Sequence, residues 1–287
     1  MNETPSADLL SLVLTLRPMA EPHPDRQLPK WWGRAAHTLL LATVNAADPA
    51  LAARLHDENG LKPFTVSTLM GRFHRSQPLP GQTYRLRFTS LTAELSAVLM
   101  AAAQSGPLAS GARVELDYLP FEIIAAVTSE DETGWPGATT YKDLGGRRLL
   151  AGSTPERRVT FSFTSPVAFK SKDRTMPLPL PDLVFGSLLQ KWNAFAPLAL
   201  PDELRRYASE CLAISRFHLR SHAVGAKDDG LRVGAAGEVT YASLNYDRYW
   251  MSLIHALGEL ARFAGVGAAV TQGMGQARRL PSPGQGE

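Results

Sequence analysis

Cysteine is almost missing from this chain of 287 residues, where Cys211 stands alone. A single thiol can form no internal disulfide and no thiolate zinc site, and it fits a reducing cytoplasm. No run of 18 uninterrupted apolar residues occurs, so no transmembrane helix and no membrane partner are expected. The amino terminus, Met1-Asn2-Glu3-Thr4-Pro5, lacks the basic start of a secretory signal. Metal signatures are missing as well: HExxH, CxxC and any dense Asp/Glu set are not found, so neither a metal nor another cofactor is expected. The Walker loop is absent. The dinucleotide fingerprint GxGxxG is unmatched, because Gly265-Val266-Gly267 follows a helical stretch instead of a strand.

Charge is present but uneven. The net formal charge is only +3. Residues 1–125 carry 11 basic and 11 acidic side chains, whereas residues 126–287 carry 19 and 16, so the whole excess lies in the second part. Within 142–174, Lys142, Arg147, Arg148, Arg157, Arg158, Lys170, Lys172 and Arg174 face only Asp143, Glu156 and Asp173. Such a stretch is either a solvated face or a contact for an anionic polymer, and the arginine-rich composition suits phosphate.

The hydrophobic pattern reads as an α+β chain. Asp8 to Leu16 is a buried first strand. Trp31 to Ala46 has helical composition. Asp48-Pro49 opens a second helix, with Asp as cap and Pro at its first position, and Gly60 stops it. Phe64 to Leu69 and Thr83 to Thr89 read as strands, the latter with Tyr84, Leu86 and Phe88 on one face and Arg85 and Arg87 on the other. Leu91 to Gln104 is a helix, and Arg113 to Val127 is strand-like with a break at Leu119-Pro120. The order strand, helix, strand, strand, helix, strand is that of a ferredoxin-like (RRM-like) βαββαβ domain. In the second half, Arg158 to Phe163, Leu212 to His222 and Leu231 to Ala242 read as strands. Pro181 to Ala196 and Asn245 to Ala264 read as helices, and Ser165 to Pro181 as a basic, Pro-rich loop. Two tandem ferredoxin-like domains are therefore expected, 1–130 and 131–280, with a disordered tail over 281–287.

Four segments stand out. The first is Leu55-His56-Asp57-Glu58-Asn59-Gly60-Leu61-Lys62-Pro63-Phe64-Thr65-Val66-Ser67, which brings an imidazole and an ammonium to one element boundary. The second is Phe163-Thr164-Ser165-Pro166-Val167-Ala168-Phe169. The third is Leu183-Val184-Phe185-Gly186-Ser187-Leu188-Leu189 with Trp192-Asn193. The fourth is the glycine-rich run from Gly265 to Arg278, including Gln272-Gly273-Met274-Gly275. In this order they resemble the CRISPR-associated endoribonucleases that cut repeat transcripts into guide RNAs, within the repeat-associated RNA-binding superfamily. The resemblance spans most of residues 8–279. It rests on the set, since none of the four segments is specific alone.

The resemblance implies a metal-independent reaction in which the 2′-hydroxyl attacks its own phosphate and leaves a 2′,3′-cyclic phosphate and a 5′-hydroxyl. It also implies CRISPR repeat RNA as partner, a stem-loop being expected. That chemistry needs a base, an acid and positive charge on the transition state. His56 matches the family's catalytic histidine by motif, and Lys62 its lysine. The bland alternatives are a histidine at a helix end interacting with the dipole and a solvated turn lysine. Some members carry a tyrosine fifteen residues before the histidine, where this chain has Leu41. His37 lies one helical turn earlier and is expected to replace it, unless it merely packs near Trp31 or Trp32. RNA contacts are expected from Arg34, Lys170, Lys172 and Arg174, and from Gly265, Gly267, Gln272, Gly273, Gly275 and Arg278 in the loop, where glycine lets backbone N–H groups approach a phosphate. His74, His218, His222 and His255 have no matched context.

Two other readings compete. One is a non-catalytic RNA-binding subunit of a CRISPR effector complex, which would bind repeat RNA without cutting. The other is a small-molecule enzyme using the glycine run for a nucleotide. Other CRISPR subunits and a homodimer are possible partners.

Overall fold

The computed structural model describes residues 7–21, 28–57, 60–149, 154–171, 174–225 and 230–281. The tail expected over 281–287 falls, apart from Pro281, outside the described residues. The chain divides into two compact units, 1–139 with 271–273 and 140–270 with 274–287.

The first unit begins with β1 (Leu9–Pro18), α1 (Gly33–Ala47) and α2 (Pro49–Asp57). It continues through β2 (Phe64–Val66), a two-residue hairpin pair β3 (Phe73–His74) and β4 (Gln77–Pro78), then β5 (Tyr84–Ser90) and α3 (Ala93–Ser105). β6 (Arg113–Leu116), β7 (Leu119–Val127) and β8 (Gly137–Thr139) complete it. The sheet order is β2-β5-β1-β7-β6, with β8 added to β1, and every neighbouring pair is antiparallel. Taken as β2-β5-β1-β7, this is the ferredoxin-like order. One apolar face, with Leu10, Leu12, Leu14, Tyr84, Leu86 and Phe88, packs on the face of α1 formed by Ala36, Leu40 and Val44. The break read at Leu119-Pro120 falls instead at Asp117-Tyr118, two residues with positive φ (48° and 67°) that close the β6–β7 hairpin. Arg87 is not a surface residue. It is 2% exposed, with its guanidinium 4.3 Å above the ring of Trp135.

The second unit runs through α4 (Tyr141–Leu149), β9 (Arg158–Val167), β10 (Phe169–Ser171), β11 (Arg174–Met176), α5 (Pro181–Phe195) and α6 (Glu203–Cys211). The long strands β12 (Leu212–Gly225) and β13 (Leu231–Ser243) follow, then α7 (Arg248–Ala264) and β14 (Ala277–Leu280). Its sheet order, β12-β13-β9-β14, is again all antiparallel and repeats the ferredoxin-like arrangement. Phe161, Phe185 and Tyr241 form its aromatic centre, with ring centroids 5.5–6.0 Å apart. The segment read as a loop from Ser165 contains the end of β9 and the β10–β11 hairpin. Among the described residues, no helix is long and apolar enough to cross a membrane.

Candidate active site

The turn between the first two helices is set by Asp48. Its Oδ1 accepts a hydrogen bond from the Leu51 amide at 2.9 Å, and Pro49 opens α2, as the sequence pattern dictates. α2 then carries His56 to its last turn, where the side chain is exposed. Lys62 reaches back across the helix end. Its Nζ donates to the Leu55 carbonyl at 2.6 Å and lies 3.4 Å from the His56 carbonyl. An ammonium there satisfies helix-end acceptors and offsets the negative end of the dipole. Lys62 therefore has a structural task, and that task fixes its charge beside the backbone of His56.

His37 lies on α1 and is half-buried. Its ring packs on Phe64 with centroids 5.5 Å apart. Nδ1 lies 2.9 Å from the carbonyl oxygen of Thr271. A carbonyl can only accept, so Nδ1 carries the proton, and the neutral ring presents Nε2 as its basic nitrogen. Burial lowers the pKa of His37 below the ordinary histidine value. The hydrogen bond to Thr271 opposes that shift, and the positive charges of Lys62 and His56 reinforce it. His37 thus lies within electrostatic reach of both other candidates. Leu41, where some relatives have tyrosine, packs against the hydrophobic core.

The partner of His37 comes from the far end of the chain. Thr271, Gln272 and Gly273 belong to the first unit. Trp31 Nε1 donates to the Gln272 carbonyl at 2.6 Å, and Gly273 bridges in parallel to Ser67. The fit depends on two glycines. A Cβ on Gly33 would overlap the carbonyl carbon and oxygen of Gln272 and lie 2.9 Å from the Gly273 nitrogen. Gly273 itself has φ +91°, and a Cβ there would meet the Thr68 amide nitrogen at 2.9 Å. Phe64 and Thr271 lie within two of the four segments and Trp31 is a near neighbour of His37 in sequence, but nothing local in the sequence points to these contacts or to the need for Gly33. A contact separated by 234 residues along the chain has no local pattern.

The remaining glycines of the loop are structural supports in the second unit. Gly265 N donates to Ala261 O and Gly275 N to Pro166 O, both at 2.9 Å. Gly267 N donates to Ser187 Oγ and Gln276 N to Ser165 Oγ, also at 2.9 Å. The Phe163–Phe169, Leu183–Leu189 and glycine-run motifs are thereby tied to one another, and these amides are engaged within the protein. Buried Lys191, in the same helix as the third motif, donates to the carbonyls of Ala264 (3.0 Å) and Gly265 (2.9 Å). Burial lowers its pKa to about 7.

Among the proposed RNA contacts, Arg34 is exposed near the start of α1, and Gln272 is exposed. Lys170 and Arg174 are exposed on β10 and β11, while Lys172 falls outside the described residues. Arg278 is half-buried on β14, opposite Ser162 of β9. His218 and His222 are exposed on strand β12, where four residues span about 13 Å, too far for one metal ion. Among the described residues, no group of three or more His, Cys, Asp or Glu side chains could hold a metal.

Two family models match the chain. The model described as CRISPR Cas6 N-terminal domain covers residues 9–91, and that described as CRISPR-associated endoribonuclease Cas6 covers residues 161–277. Together they account for more than half of the chain. The CRISPR-associated endoribonuclease Cas6 of Mycobacterium tuberculosis, in two strains, is 33% identical over 138 residues, 47% of this chain and 42% of that protein. That match spans less than half of the curated relatives' length. Among solved structures, one Cas6 product complex is 29% identical with a TM-score of 0.76, over 96% of this chain and 100% of that one. A second Cas6 product complex is 27% identical with a TM-score of 0.75, over 95% of this chain and 99% of the other.

Proposed function

This chain belongs to the Cas6 family of CRISPR-associated endoribonucleases, and on that premise we propose that it cuts CRISPR repeat transcripts into guide RNAs without a metal ion. In this reading His37 and His56 are an acid–base pair. Neutral His37 takes the proton of the 2′-hydroxyl at Nε2. The freed oxygen attacks the adjacent phosphorus, and the bond from phosphorus to the 5′-oxygen breaks as His56 delivers a proton to that oxygen. The products are a 2′,3′-cyclic phosphate and a 5′-hydroxyl. Lys62, held at the end of α2, supplies positive charge for the transition state. Arg34 and the exposed basic residues Lys170 and Arg174 contact phosphates.

The observation that carries this reading is the hydrogen bond from His37 Nδ1 to Thr271 O, which leaves Nε2 basic, together with a pKa lowered by burial and by the charges of Lys62 and His56. A base must be unprotonated at the working pH, and each of those influences except the hydrogen bond favours the neutral ring. The reading is tested with His37→Ala and His56→Ala under single-turnover conditions on host repeat RNA. Each variant is expected to lose roughly 10²–10⁴-fold in cleavage rate while binding RNA within about threefold of the parent. Normal cleavage by His37→Ala beside a dead His56→Ala would remove His37 from the pair. Normal cleavage by both would refute the site.

A further inference from the structure

We infer that the β3–β4 hairpin is a basic finger that grips the RNA backbone, a contact separate from the histidine pair. The inference rests on the reading of the chain as an RNA-cleaving protein.

The hairpin is short but firmly seated. Tyr84 is fully buried on β5, and its hydroxyl donates to Arg72 O at 2.7 Å while accepting from Leu79 N at 2.6 Å. One phenol therefore pins both arms. Phe73 packs on the Tyr84 ring with centroids 5.1 Å apart, and Met70 and Arg85 exchange two backbone hydrogen bonds beneath it, at 2.9 and 2.8 Å. The tip is Arg75-Ser76, with φ of 49° and 67°. Positive φ at both central residues defines the turn type that normally selects Asn-Gly. Here an arginine and a serine occupy it. Strained backbone of this kind concentrates where a particular side chain is needed, and the side chain displayed is a guanidinium.

The charge around the hairpin is one-sided. Between residues 59 and 93 the sequence has no Asp or Glu, but it has Lys62, Arg72, Arg75, Arg85 and Arg87. Arg72, His74, Arg75 and Arg85 are all exposed. Among the described residues, Arg72, Arg75 and Arg85 have no ion-pair partner. Clustered exposed cations repel one another in the free protein, and a polyanion relieves that repulsion. The guanidinium fork matches phosphate oxygens, and contacts from a turn tip to phosphates hold a strand in place without reading its bases.

The test uses the intact chain and a fluorescein-labelled transcript of the host CRISPR repeat, titrated across a range of salt concentrations. Arg72→Gln/Arg75→Gln is expected to lower the slope of log K against log salt by roughly 1.5, as two phosphate contacts at about 0.7–0.9 each require. At low salt its affinity falls roughly tenfold or more, while single-turnover cleavage at saturating protein stays within about twofold. Arg75→Lys, which keeps the charge, retains the slope. Arg113→Gln, an exposed arginine on β6, changes nothing. An unchanged slope and affinity in the double variant, beside wild-type protein that binds, would overturn this inference and leave the proposed function standing. An equal drop in Arg113→Gln would also overturn it, because the contact would not be local. Wild-type protein that binds no repeat RNA would overturn both.

Discussion

Gly33→Ala is the perturbation that best isolates how the fold prepares His37. The added methyl group cannot coexist with the Gln272 carbonyl in its present place, and the obstacle is backbone, which no rotamer change removes. The 271–273 segment must move away from α1. Two hydrogen bonds then fail, Trp31 Nε1 to Gln272 O and His37 Nδ1 to Thr271 O, and the bridge from Ser67 to Gly273 loosens. Each contributes about 0.5–1.5 kcal/mol net. Alanine returns up to about 1 kcal/mol through its better helix propensity. The expected loss is about 1–3 kcal/mol, seen as a fall in melting temperature of roughly 2–12 °C. The rate effect should be larger than this stability loss suggests. Without Thr271 the Nδ1 proton has no fixed acceptor, and cleavage is expected to fall roughly tenfold or more, toward the 10²–10⁴-fold that a placed base supplies. Differential scanning fluorimetry and single-turnover cleavage measure the two effects on one preparation. A Gly33→Ala protein that melts within about 1 °C of the parent and cuts at its rate would refute the claim that the returning segment orients His37.

The remaining predictions concern titration and the hairpin turn. Lys62→Met removes a charge that lowers the pKa of His37, so the acidic limb of the cleavage pH profile moves to higher pH; the burial contribution persists, which keeps the limb below the ordinary histidine value of about 6.5. Lys191 has a folded pKa of about 7 against roughly 10.4 in the unfolded chain. The unfolded state therefore binds more protons between those values, so stability rises with pH through that window. Urea unfolding at about pH 7 and pH 9 should show a gain of about 2 kcal/mol in the parent and none of it in Lys191→Met. Ser76→Gly places glycine at a left-handed position and should raise stability by about 0.5–1 kcal/mol in the same assay.

Much of the fold is legible in the residues because local and global preferences agree. Asp48-Pro49 is a helix start in the sequence and in the structure, and Tyr84, Leu86 and Phe88 alternate into the core as their period requires. The missed elements have identifiable causes. α4 carries Gly145-Gly146, poor helix material, and Arg148 on it pairs with Glu259 of α7. α6 did carry a helical signal, since Leu204, Tyr207 and Ala208 are buried at helical spacing. The β10–β11 hairpin is hidden by the prolines that follow it. Arg87 looks like a surface residue by strand alternation alone, but Trp135 covers it. For the proposed site, the candidates His56, Lys62 and His37 come from motif and spacing. The role of residues 271–273 could not, because a glycine run reads locally as a loop that offers its amides to a phosphate. In the structure most of those amides bond within the protein, and the segment's carbonyls hold Trp31 and His37.

The central claim is metal-free attack by the 2′-hydroxyl, with His37 and His56 moving the protons. It is tested most directly by incubating the pure protein in EDTA with host repeat RNA, beside the same RNA carrying a 2′-deoxy sugar immediately upstream of the cut. The account predicts one defined cut ending in a 2′,3′-cyclic phosphate, and no cut in the deoxy substrate although it binds equally well. Cleavage of the deoxy substrate, or a requirement for added metal, would contradict it.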